Sequence, residues 1–151
     1  MQVLNEKLAD IQGAGAQLVV LSPEIADRAR KTATDAGATF PILQDVDSKT
    51  AEAYGLLFKL DEGIVPIYRN MLKIGEANGN DKMELPLTAT YVIDTDGVIK
   101  YAFLDADYTK RAEPSEVVAA VKALGGKSES GAKAGSDSKA GSKAKSGSKS
   151  K

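Results

Sequence analysis

Leu18-Val19-Val20-Leu21 runs directly into Ser22-Pro23, and this junction constrains the fold more than any other stretch of the chain. Four consecutive apolar residues without polar alternation predict a strand over 17–21 that is buried on both faces, the pattern of a parallel sheet with helices on either side. Ser22 offers an N-cap hydroxyl and Pro23 suits the first helical position, so a helix should follow at once. It should run to about Ala36, with Gly37 as its stop. A strand feeding a helix in this way is the unit of an α/β domain.

The rest of the chain extends that alternation. Val3, Leu4, Leu8 and Ile11 fall at helical spacing, and Gly13 and Gly15 close the element. Phe40–Leu43 reads as a short strand or extended edge, because Pro41 cannot donate to a ladder. Asp47 or Ser48 can cap a short helix reaching Tyr54, with Gly55 behind it. Residues 56–87 carry the weakest pattern, with Pro66 opening a helical turn through Ile67, Met71 and Leu72 and a turn at Asn78-Gly79. Tyr91–Ile93 and Val98–Leu104 are rich in β-branched and aromatic residues, and Asp94-Thr95-Asp96-Gly97 between them predicts an antiparallel hairpin. Pro114 starts a last helix with Val117, Val118, Val121 and Leu124 on one face, ending near Gly125-Gly126. The order contains no opening strand.

Composition divides the chain in two. Seven of its 20 basic residues and two of its 21 acidic ones lie in residues 127–151, leaving that segment at +5 and residues 1–126 at −6. The segment is otherwise Ser, Gly and Ala, with nothing large enough to offset the entropy of ordering, and it reads as a disordered tail. Lys spaced by Ser and Gly, without Arg or aromatics, is a weak and salt-sensitive footprint for polyanions; a solubilising appendage is the plainer reading. Among 151 residues there is no Cys and no His. That excludes a thiolate nucleophile, a CxxC redox pair, a Ser-His-Asp triad and a zincin-type metal site built from the chain itself. No apolar run approaches the roughly 18 residues of a membrane span, and Met1-Gln2-Val3-Leu4-Asn5 shows no secretory leader. A cytoplasmic location is the corresponding expectation.

Two carboxylate motifs invite chemistry. Asp94-Thr95-Asp96-Gly97 after an apolar strand mimics the first motif of haloacid-dehalogenase-type phosphatases, but too little foldable chain follows for the remaining catalytic strands, and a hairpin turn explains it. Asp105, Asp107, Thr109 and Glu116 take positions 1, 3, 5 and 12 of a calcium loop. Lys110 stands where that loop needs Gly, so a connection into the last helix is the better reading. Asp45-Val46-Asp47 is accounted for by a helix cap. No metal and no cofactor are expected.

Taken together in their order, these segments resemble the alkyl hydroperoxide reductase/thiol-specific antioxidant (AhpC/TSA) family of peroxiredoxin-like proteins. The resemblance rests on Leu18–Glu24, Phe40–Asp45, Ala53–Leu56 with Phe58, and above all Leu85–Ile99, continued by Tyr101–Phe103, Asp105, Asp107–Thr109, Arg111 and Glu113-Pro114. It covers about residues 3–124. It implies an α/β, thioredoxin-like sheet flanked by helices, and reduction of a hydroperoxide by a peroxidatic thiolate that a thiol reductant recycles. In the family that thiolate lies at the N-terminus of the first long helix, where the helix dipole lowers its pKa.

Here the chain begins inside the corresponding helix, so the first core strand, the active-site loop and the cysteine are missing. Thr88 stands where related proteins carry Pro or Arg beside the thiol. The resemblance therefore carries over no catalytic residue. Two explanations fit: Met1 is an internal methionine of a longer reading frame, or the chain is a truncated paralogue. A start inside a helix has no folding logic, which favours the first. The missing strand is central in a thioredoxin-like sheet, and its loss should leave two sheet pieces with unpaired edges. The chain alone should then be weakly stable or borrow a strand from a protein partner. The expected activity is that of an antioxidant oxidoreductase, inactive in a chain without cysteine; the alternative is a non-catalytic protein-binding module with a basic tail.

Overall fold

The structure, a computed structural model, describes residues 2–128. Helix α1 (Gln2–Gly13) leads to strand β1 (Val20–Ser22), helix α2 (Ala26–Asp35) and strand β2 (Ile42–Gln44). A 3-10 turn (Val46–Ser48) and helix α3 (Lys49–Ala53) precede strand β3 (Leu57–Lys59). A π-helical turn (Ile67–Met71) and helix α4 (Ile74–Asn78) follow, then strands β4 (Glu84–Pro86), β5 (Thr88–Ile93) and β6 (Ile99–Asp105), and helix α5 (Pro114–Ser128).

The six strands form three two-stranded sheets: β1 with β2 in parallel, β3 with β4 and β5 with β6 antiparallel. The separation of β1/β2 from β5/β6 is the expected division; the β3/β4 pair arises inside the segment whose sequence pattern was weakest. In the hairpin, Val92 lies opposite Tyr101 and Thr88 opposite Asp105, with a register shift between Val92 and Ile93. Helix α5 packs on this hairpin and α1 packs on α5. The core lies between them: Val92, Val117 and Val121 are buried, with Ala14, Ala16, Tyr101, Ala112, Ala120 and Leu124 against them. Among the described residues no large side chain is wholly buried.

Three local expectations are corrected. Residues 17–21 do not make a strand covered on both faces. The strand is Val20–Ser22, and Val19, Leu21 and Leu43, which share one face, remain 45%, 52% and 50% exposed. Helix α2 packs on β2 from the other side, beside Ile42 and Gln44. Ser22 does not cap α2, which begins at Ala26 with Ile25 as its cap residue. The Ile25 N–H donates to the Ala77 carbonyl at 2.8 Å, holding the chain extended past Pro23, and the Ser22 hydroxyl instead accepts the Glu24 N–H at 3.2 Å. Helix α5 does not stop at the double glycine but continues to Ser128. The Lys/Ser/Gly/Ala segment beyond it lies outside the described residues.

Candidate functional site

Thr88, the residue that the resemblance puts beside a thiol, is the first residue of β5 and is half-buried. The Leu87 N–H before it donates to the Leu56 carbonyl at 2.8 Å, which ties the start of β5 to the residue preceding β3. Asp105 is its partner across the ladder. The Asp105 carboxylate accepts the Asp107 N–H at 2.8 Å and lies 3.2 Å from the Lys110 ammonium. These contacts hold its carboxyl below the usual carboxylate range, the backbone N–H being the larger effect. A carboxylate kept ionised in this way is a poor proton donor near neutrality.

The calcium-loop spacing resolves into a turn that satisfies itself. Asp107 accepts the Thr109 hydroxyl and N–H, at 2.6 and 3.0 Å, and these lower its pKa. Lys110 supplies the positive charge beside Asp105 that a cation would otherwise supply. Glu116, the twelfth position, accepts the Tyr101 hydroxyl at 3.1 Å. Partial burial, with the Glu116 bond and charge, pushes the Tyr101 phenol up, away from nucleophilic use. Among the described residues no group of three or more Asp, Glu, His or Cys could hold a metal ion.

Asp94–Gly97 is likewise a hairpin turn. The Gly97 N–H donates to the Asp94 carbonyl at 2.9 Å, Gly97 sits at φ +81°, and the Asp94 carboxylate accepts the Thr95 N–H at 2.8 Å. Asp96 accepts the Val98 N–H at 2.9 Å, the main reason for its lowered pKa, and Lys100 lies 3.3 Å from it and 3.8 Å from Asp94. Both carboxylates close the turn on backbone N–H groups and lie beside Lys100, as a hairpin connection requires.

The helix cap expected at Asp47 or Ser48 is corrected: Ser48 makes no capping bond, Asp47 stands at φ +57°, and Asp45 takes the role instead. It is buried, and its two oxygens accept the Thr50 and Ala51 N–H groups at 2.8 and 2.9 Å. Burial raises its pKa, but these bonds and the Thr50 hydroxyl outweigh it and the net shift is downward. Sequence reasoning missed the Asn5 clamp, in which the side-chain amide donates to the Gly37 carbonyl and its oxygen accepts the Thr39 N–H and hydroxyl, each at 3.1 Å. An Asn on an outward helical position carries no pattern that would signal it.

The contacts seen at Thr88 and along the hairpin are thus those of strand pairing and turn closure. No helix among the described residues is long and apolar enough to cross a membrane. A family model described as the AhpC/TSA family matches residues 1–102, ending within β6. No curated protein matches the chain.

Proposed function

The chain belongs to the AhpC/TSA family and has its α/β, thioredoxin-like fold, and from that premise we propose that it is a peroxiredoxin-like scaffold for reducing hydroperoxides with a thiol reductant, inactive on its own. The observation that carries this reading is a family match over 102 residues in a chain with no cysteine. Catalytic turnover requires a thiolate to open the O–O bond and a second thiol to regenerate it, and a chain without cysteine provides neither. In this reading Thr88 keeps the place beside the thiol without chemistry of its own. The test is thiol-dependent peroxide consumption by the purified chain. The expected rate is that of the reductant alone, and turnover above it would refute the assignment.

A second reading, a non-catalytic module that binds a protein by completing its sheet, is favoured by the open strand edges. Each described strand has a single ladder partner. In the parallel ladder the Val20 N–H donates to Pro41 and the Ser22 carbonyl accepts from Asp45. By alternation, the Val19 and Leu21 backbone groups point to the other edge. A defined partner that protects the Leu21 amide from hydrogen exchange supports this reading; a protein that purifies as a clean monomer counts against it. Polyanion contact through residues 127–151 is a separate proposal: binding should fall steeply with salt and vanish when that segment is deleted.

A further inference from the structure

The chain has three methionines and no cysteine, so its thioethers are its only sulfur. The structure separates two of them sharply. Met83 is 7% exposed, and its Cε would lie 3.6 Å from a Cβ placed on Gly75. Met71 is 71% exposed at the end of the π-helical turn Ile67–Met71. The Leu72 N–H closes that turn on the Ile67 carbonyl at 3.1 Å, and Ile64, Ile67 and Leu72 are exposed around it.

We propose that Met71 is a modification site at which hydrogen peroxide and small alkyl hydroperoxides oxidise this chain. A thioether lone pair attacks one peroxide oxygen, the O–O bond breaks, and an S=O bond forms. The peroxide proton passes to the departing oxygen, releasing water or an alcohol. Sulfur loses two electrons and the peroxide gains them, so no further reactant is needed. Because a thioether has no proton to lose, its reactivity follows access rather than an activating neighbour, and access is what distinguishes Met71 from Met83. The product places a polar, chiral sulfoxide on a turn whose Ile67 and Leu72 are also exposed, and methionine sulfoxide reductases reverse it. The step is stoichiometric and requires no thiolate, so it stands or falls separately from the proposed function.

The experiment exposes the full chain to hydrogen peroxide and follows oxygen uptake by peptide mass mapping, with free methionine as the reference. Met71 should be oxidised within about three-fold of the free amino acid and at least about ten-fold faster than Met83. Guanidinium should bring the two sites to similar rates. Met71→Leu, which keeps the apolar surface, should abolish the fast uptake outside the N-terminal peptide. Equal rates at Met71 and Met83 in the folded chain would overturn the assignment. So would protection of Met71 by more than about ten-fold relative to free methionine, which would mean that the turn is covered.

Discussion

Asp45→Ala removes the one buried carboxylate that organises the start of α3. Its oxygens accept two backbone N–H groups at 2.8 and 2.9 Å in a site only 7% exposed. A hydrogen bond to a charged acceptor contributes about 1.5–3 kcal/mol, and capping substitutions cost about 0.5–2 kcal/mol. The variant leaves two donors without their acceptor but no longer desolvates a charge, so the expected loss is about 2–3 kcal/mol. With a urea m-value of about 1–3 kcal/mol/M, the unfolding midpoint should fall by about 0.7–3 M. Amide exchange should accelerate at Thr50 and Ala51 first. Asp45→Asn, whose amide oxygen can serve only one donor well, should lose about half as much. The pH dependence follows from the lowered native pKa of Asp45. The contribution is complete above the unfolded value of about 3.9 and is lost as pH falls through the lower native value. The gap between wild type and Asp45→Asn should therefore be constant from neutrality to about pH 5 and close in stronger acid. A variant within about 0.5 kcal/mol of wild type, or a gap unchanged down to pH 2, would refute the reasoning.

Gly79→Ala should destabilise the chain by about 2–3 kcal/mol in chemical denaturation, because Gly79 sits at φ +68° and a Cβ there would lie 2.7 Å from Ile25 Cγ2. Val121→Ala, in the α5 core, should cost about 2 kcal/mol: two buried methyl groups plus the space they leave. Tyr101→Phe should stay within about 0.5 kcal/mol, since the lost bond runs to the exposed Glu116. The whole chain, with no large side chain wholly buried among its described residues, should unfold with a low midpoint; a monomer with a sharp transition at high denaturant would contradict that expectation.

Local chemistry made the hairpin legible. Two runs of β-branched and aromatic residues flank Asp94–Gly97; β6 lies one residue later than its run suggests, and β5 starts three residues earlier, because Thr88, Ala89 and Thr90 are small residues whose strand conformation depends on pairing with Phe103–Asp105. Strands β3 and β4 were illegible for the same reason in stronger form. Leu57-Phe58-Lys59 and Glu84-Leu85-Pro86 are three residues each, contain Lys, Glu and Pro, and become strands only by meeting each other across the intervening insert. Ser22 shows a distant contact overriding a good local signal: its hydroxyl suits a cap, yet the Ala77 carbonyl takes the Ile25 N–H and delays the helix to Ala26. Before α3 the sequence points to a cap but to the wrong residue, Asp47 or Ser48 in place of Asp45. The 3-10 turn, with Asp47 and Ser48 both at positive φ, folds the chain back so that the carboxylate meets N–H groups five and six residues ahead.

The same contrast explains why the run that most constrained the fold was read correctly in kind and wrongly in burial. Leu18–Leu21 has the composition of a strand packed on both faces, and hydrophobic patterning reports what a segment is suited to bury rather than what is present to bury it. In the structure α2 covers one face of β1/β2, while Val19, Leu21 and Leu43 on the other stay about half exposed. The hairpin, in contrast, is covered by α5, and its Val92 is buried. A face bearing the exposed Val19, Leu21 and Leu43, beside a strand edge whose Val19 and Leu21 backbone groups point away from β2, is a surface on which a further strand would gain both ladder hydrogen bonds and apolar burial. Leu21→Lys separates those gains from the intrinsic fold. It places a charge on an already exposed position and should leave stability within about 0.5 kcal/mol, while weakening any strand-completing partner by at least about ten-fold. Destabilisation of the isolated chain by more than about 1 kcal/mol would mean that Leu21 already packs against the protein itself, and the surface would not be open at all.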